Sequence, residues 1–564
     1  MADFSSLKNA VAAVIKTNGV QSITGDALQQ QLFAIIDSIN DNKVDVVSGK
    51  GLSANDLTNE LVAKINSAIQ QAGLNSAIAA AIATCVLKSD IVQIAGQATD
   101  KVMSQKAAGD TFVAKTDIVD VTGQGTDKVM SQKAITDILS GIDGNNTYGV
   151  RHNYNASSPT LTRIGNLDLH RTLPVQSKMR RCILDDNGNV VYYLDRNNSV
   201  WREDGQAAVL DGTHGQVMVE IPEHYRACIE DTTNGTYDVL ISLTPFTGAR
   251  KIKKTYVSAF EAVVDRTDSS NLKLSSVRNL TEAFRGGNNN AAYDGTYRSF
   301  LGMPTTVVSL TNFRTYAKNR GENWHQYDWE AHCAIYWLFA IEYATLNSQA
   351  AFNADLDANG YHQGGLGVGV TNMNGDYWNA YNGYYPFVPC GYTLSLGDAT
   401  GIVPLTFNAE QEVAYGAAYT TDVPSYRGIE NPFGHIFKWT DGFLGLGDGV
   451  AQDVYVCRDK AHYASTLNDY YQKLGKYPEG TNGYPLSLVR NEYGDLFFPT
   501  MGGGSTTYFC DYNYRQVAEG TTYGLYVGGN ANGGSYAGLA CLVSYGTPSH
   551  ANANVGSRLC WSAE

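Results

Sequence analysis

Apolar residues first recur at helical spacing between Asn55 and Val86, where Leu57, Leu61, Ile65 and Ile69 and then Leu74, Ile78 and Ile82 follow one another every four or five positions. The spacing predicts helix, but the stripe is too narrow to close a globular core alone and predicts packing against a partner chain. Lys88 to Ala107 then recurs twenty-seven residues later as Lys115 to Ala134, identical at fifteen of twenty positions. Repeats of this kind stack into elongated arrays. Within each, TDKVMSQKA predicts a short helix capped by Thr99 or Thr126, with Val102 and Met103, or Val129 and Met130, as its buried pair. Residues 51–148 therefore read as an elongated helical stalk, following an attachment region at 1–50.

The period changes after Tyr148. In RRCILDDNGNVVYYLD, alternating apolar residues flank Asp186, Asn187 and Gly188, which is hairpin chemistry, and residues 149–215 read as a β-rich neck. From Gln216 on, QVMVEIPEHYRACIE and KTYVSAFEAVV predict strands. Tyr327 to Asn347 predicts one strong core helix, roughly 30 Å long at the usual rise per residue. Some two hundred residues dense in Gly, Tyr and Asn follow with few periodic segments, and so much irregular chain in a compact domain predicts loops that serve a purpose. Val555, Leu559 and Trp561 read as a final strand that returns to the core. The fold class predicted is α+β: a helical stalk, a neck of strands and a C-terminal domain over 216–564.

Composition narrows the function. A 564-residue chain with 43% hydrophobic residues has room for several domains and a large core. A net charge of -14 without any Lys/Arg run argues against a nucleic-acid surface. No window is apolar for long enough to span a bilayer, and the N-terminus lacks an export signal, so no membrane insertion is expected. Nine cysteines without CxxC spacing signal neither a disulfide framework nor zinc and read as buried thiols.

The sites of common enzymes are absent. No GxSxG, P-loop or GxGxxG occurs in the required setting, and Glu330, His332 and Glu342 do not make HExxH. In RGIENPFGHIFKWTDG, His435 stands alone and reads as a satisfied structural histidine, Phe437 and Trp439 read as core, and Glu430, Asn431 and Asp441 lack EF-hand spacing. No catalytic residue, metal or cofactor is assigned. What stands out is the nearly uncharged run from Met501 to Trp561. Tyr508, Tyr512, Tyr514, Tyr523, Tyr526, Tyr536 and Tyr545 are interspersed there with Gly, Asn and Ser, the mixture that antibody binding loops use. It suggests adhesion before catalysis.

EIPEHYR, YVSAFEA, IEYATLNSQ, NPFGHIFKWTDG, GGGSTTY and NANVGSRLCW, in that order, resemble the landmarks of the formylglycine-generating-enzyme and sulfatase-modifying-factor superfamily, over roughly 216–561. The resemblance implies a C-type-lectin-like C-terminal domain. The repeats, with ITGDALQQQL and GKGLSANDLT, resemble the N-terminal region of tail fibres from phages and prophages of gut Bacteroides, several of which are diversified by diversity-generating retroelements. Together these imply a homotrimeric tail fibre on the virion, made in the bacterial cytoplasm. It would attach to other tail or baseplate proteins through its N-terminus and to a bacterial surface glycan or outer-membrane protein through its tip. The variable surface implied comprises Asp511, Tyr512, Asn513, Tyr514, Tyr526, Asn530, Asn532, Ser535, Tyr536, Ser544, Tyr545, Ser549, His550, Asn552 and Asn554, with Gly556 to Cys560 as fixed scaffold. The superfamily's enzymes oxidise a cysteine with a pair of active-site cysteines, so the alternatives are an oxidase built on Cys510 and Cys541 or a purely structural tail protein.

Overall fold

The structure, a computed structural model, describes residues 146–278, 280, 281, 284, 301–407, 418–477 and 482–563, together with Lys64 and four two-residue strands in the repeats. The attachment region and the rest of the expected stalk lie outside the described residues. The chain divides into two compact units, 1–115 and 116–564. In the first, Ile91–Val92 pairs in parallel with Val102–Met103, and in the second Ile118–Val119 pairs in the same way with Val129–Met130. The Val-Met of TDKVMSQKA is strand in both repeats, and the remainder of the short helix expected there lies outside the described residues. Each Val-Met follows its Ile-Val partner by eleven residues, and β-branched residues favour the extended backbone.

The described residues from 146 on are mostly β-sheet with few helices. An antiparallel sheet of five strands runs in the order Arg250–Ile252, His224–Asp231, Thr236–Ser242, Tyr148–Asn153, Thr162–Gly165. A second, of six, runs Trp324–Gln326, Leu559–Trp561, Thr255–Ser258, Gln216–Ile221, Arg180–Leu184, Val190–Tyr193. The last two form the predicted hairpin: Asp185 accepts from the backbone N–H groups of Asn187 and Asn189, and Gly188 supplies φ +83°. Because Tyr148–Asn153 pairs with Thr236–Ser242 and Arg180–Leu184 with Gln216–Ile221, the boundary expected between 215 and 216 runs through two continuous sheets. Leu559–Trp561 is the returning strand that the C-terminal pattern predicted.

The third large sheet runs Gln472–Tyr477, Gln452–Val456, Phe437–Gly447, Thr522–Gly528, Gly538–Ser544, Tyr514–Arg515, with Val555–Gly556 added in parallel beside Phe437–Lys438. It is drawn from the stretch that the sequence presents as irregular. Phe437–Gly447 is buried along nearly its whole length, Lys438, Thr440 and Asp441 included, so both its faces are covered and neither turns to water.

The core helix is Trp329–Tyr343, shorter than predicted at both ends. Asp328 caps it by accepting from Ala331 N–H at 2.8 Å, and Ala344 leaves it at φ +50°. Apart from Glu330 every residue is buried, because the helix packs against both Phe437–Gly447 and Tyr148–Asn153. Its indoles are satisfied on a neighbouring turn: Trp329 donates to Asp495 and Trp337 to the Gly494 carbonyl, both at 2.7 Å.

Candidate functional site

At one edge of the third sheet, Tyr514–Arg515 pairs in parallel with Val543–Ser544, and the residues leading into it alternate. Asp511, Asn513 and Arg515 are buried, while Tyr512 is half-buried and Tyr514 exposed. That alternation is strand geometry, and it splits the expected binding residues into two kinds. Asp511 points inward, where it accepts from Ala540 N–H at 2.7 Å and Ser348 Oγ at 3.4 Å and leaves Oδ1 buried without a partner. Burial holds its pKa well above the usual carboxylate range. Asn513 donates to the Ala540 carbonyl at 3.0 Å, and its backbone exchanges hydrogen bonds with Gly483. Gly538 lets the two segments approach: a Cβ there would lie 2.1 Å from Asp511 Oδ1, at φ +134°.

Anchored from inside, the segment holds its tyrosines outward. Tyr512 and Tyr536 face each other at 4.5 Å between ring centroids, and Tyr484 meets both edge-on, at 5.3 and 5.9 Å. Tyr484 Oη and Ser535 Oγ are hydrogen-bonded at 3.0 Å. A second pair, Tyr514 and Tyr545, lies 5.6 Å apart. Tyr536 is 54% exposed and Tyr545 42%. Tyr484 was missed by sequence reading. It precedes the Tyr-rich run, and it arrives only because Asn482 accepts from Arg515 N–H and Gly483 bridges to Asn513.

Five of the expected contact residues are buried: Asp511, Asn513, Tyr526, Asn530 and Ser544 have little accessible surface. Tyr526 packs edge-on against Trp439 at 4.7 Å and against Phe437 at 5.1 Å, as core. Tyr512, Tyr514, Asn532, Ser535, Tyr536 and Tyr545 reach the surface around the tyrosine groups. Ser549, His550, Asn552 and Asn554 also reach the surface, but on a separate loop whose carbonyls at Pro548 and Asn552 accept from Thr311 and Val307 N–H.

The other singled-out residues are internal. His435 Nε2 faces the N–H groups of Phe387 and Val388, which fixes it as an acceptor and Nδ1–H as the donor to Glu261 at 2.6 Å. Lys438 completes a buried triad, 3.0 Å from Glu261. Burial pushes the Glu261 pKa up, yet Lys438 and His435 outweigh it and hold the carboxyl at about 2, while burial pulls Lys438 down to about 8. Arg558, in GSRLC, donates to the carbonyls of Ser258, Glu430 and Asn431 and ties the last strand to the NPFGH turn. Cys510 and Cys541 are free and buried. Burial and the Asp511 charge push the Cys510 thiol up to about 12, and burial moves Cys541 in the same direction, the opposite of an activated thiol. Among the described residues no group of His, Cys, Asp or Glu is arranged to hold a metal ion, and no helix is long and apolar enough to cross a membrane.

No protein-family model matches the chain, and no curated protein does. Among solved structures it is similar to one described as Major Tropism Determinant U1 Variant, at 12% sequence identity over 63% of this chain and 73% of that one, with a TM-score of 0.17.

Proposed function

We propose that the chain is a receptor-binding adhesin of a phage tail fibre, with a C-type-lectin-like tip that grips a bacterial surface glycan or outer-membrane protein. The observation that carries this reading is the exposed tyrosine surface, Tyr484, Tyr512 and Tyr536 beside Tyr514 and Tyr545, mounted on a sheet edge whose inward residues are locked. Rigid aromatic side chains with polar tips give large contact area at small entropic cost, and interface hot spots are enriched in them. The division of labour suits diversification: outward positions can change at little cost in stability while Asp511, Asn513 and Gly538 hold the frame. Several such tips on one fibre would gain avidity from linkage. Two buried thiols with raised pKa values weigh against the oxidase alternative.

The test is binding of the fluorescently labelled protein to a panel of Bacteroidales strains, beside a variant with Tyr512, Tyr514, Tyr536 and Tyr545 replaced by Ala. Strain-selective binding should be lost in the variant at unchanged melting temperature, each tyrosine being worth about 2 kcal/mol if it is a hot spot. Equal binding by both proteins would remove this surface from the proposal.

A further inference from the structure

A cleft of about 970 Å³ opens elsewhere on the same unit, at the upper end of the size range of ligand pockets. Its walls come from the outermost strands of two sheets, Arg250–Ile252 of the five-stranded and Trp324–Gln326 of the six-stranded one, and from the first turn of the core helix. A further wall, Arg458 to Ala461, follows the Gln452–Val456 strand. Four strand spacings of the third sheet separate that strand from Tyr514–Arg515, about 19 Å at the usual interval, so the cleft and the tyrosines occupy different parts of the molecule.

Six basic side chains converge on the cleft. Arg250, Lys251, Lys253, Lys318, Arg458 and Lys460 line it beside Glu322, Glu330 and Asp459, and four of the six cations are paired with a carboxylate, Lys251 with Glu223 at 2.8 Å among them, in a chain whose net charge is -14. Some of these cations are held in place: Lys460 by Asp328 at 2.8 Å, Arg458 by Asp495 at 2.5 Å, and Arg250 by Glu330 at 3.3 Å. Lys253 and Lys318 are exposed and make no ion pair among the described residues, and Arg250 Nε is buried without an acceptor. A concave wall concentrates the field of its unpaired charges on whatever enters it, here Lys253, Lys318 and the free Nε of Arg250, and guanidinium forks match oxyanions. Beside the cleft, Asp459 accepts from His462 at 2.8 Å, and the His462 ring is stacked on Tyr470 at 3.3 Å, leaving Tyr470 49% exposed. A tyrosine with one face free, reached from the Asp459 wall through His462, suits a sugar ring bearing anionic groups. A long polyanion such as nucleic acid would meet the acidic remainder of the surface.

We infer that this cleft is a second binding site, for a short acidic saccharide carrying sulfate, phosphate or carboxylate groups. It is independent of the tyrosine surface, and the test separates the two. Binding of a sulfated hexasaccharide, its desulfated counterpart and a polyglutamate peptide of equal charge is measured on the full chain, on Lys253→Glu/Lys318→Glu and on Tyr512→Ala/Tyr536→Ala. Both lysines are exposed and make no ion pair among the described residues, so their reversal leaves the fold in place, with at most a small drop in melting temperature because Lys318 ends the helix Leu310–Lys318. The sulfated probe should bind, weaken about tenfold or more in the lysine variant and with added salt, and bind the tyrosine variant as it binds the parent. Absence of binding, equal binding of the desulfated probe, indifference to the lysine reversal, or tighter binding of polyglutamate would overturn the assignment, the last in favour of an acidic peptide.

Discussion

Asp511 brings a carboxyl group into the interior directly beneath the exposed tyrosines, with one oxygen unpartnered. A carboxyl whose folded pKa is raised binds its proton more tightly in the native state, so the stability it contributes is complete below the unfolded carboxylate range, about 4, and is lost as pH rises above it. Asp511→Asn keeps the shape without the charge. Thermal melts at pH 5 and pH 8 should show a smaller loss of stability at pH 8 in the variant than in the parent, and an equal loss in both would mean that Asp511 does not titrate with folding. Glu261 acts in the other direction: with its pKa lowered from 4.5 to about 2, the stability it adds is lost as pH falls through that window. At this scale the sequence announced the residue types of the site but not their direction. Tyr512 and Tyr514 face outward and Asp511 and Asn513 inward because a segment that composition marks as loop enters a strand, and the partner that makes it one, Val543–Ser544, lies some thirty residues further along.

Among the elements, the core helix was legible and the central strand only partly. Trp329–Tyr343 is apolar all round, capped by Asp328 and long enough to be told from a strand. Phe437–Gly447 was marked by its aromatics alone, and what makes it central is the pairing of its two sides with Gln452–Val456 and Thr522–Gly528. Trp439, fully buried there against Tyr526, should cost about 3–5 kcal/mol when replaced by Ala. Chemical denaturation would measure it, and a W439A chain of parental stability would displace this strand from the core. In the repeats, the Val-Met of TDKVMSQKA pairs in parallel with an Ile-Val eleven residues earlier, a contact set by pairing rather than by the propensity of the nine residues TDKVMSQKA themselves.

For the whole molecule, sheet pairing sets where the chain can be cut. A chain beginning at Asn146 keeps every strand of the three large sheets and should melt cooperatively at the parental temperature. One beginning at Gln216 loses Tyr148–Asn153, Thr162–Gly165, Arg180–Leu184 and Val190–Tyr193 and should fail to fold. Circular dichroism melts of the two would decide it, and a folded second chain would restore the neck as a separate body. By itself the sequence determined the presence of the core helix, the 185–189 hairpin, the returning C-terminal strand, the acidic balance and a tyrosine-rich surface, because each depends on composition or on residues near one another in the chain. Tertiary structure alone decided which tyrosines are displayed, that Tyr484 joins them, that strands before residue 216 share sheets with strands after it, and that scattered lysines and arginines converge on one cleft. Those properties depend on which distant segments pair and which face each then turns to water, and that is set by burial across the whole domain rather than by any local run of residues.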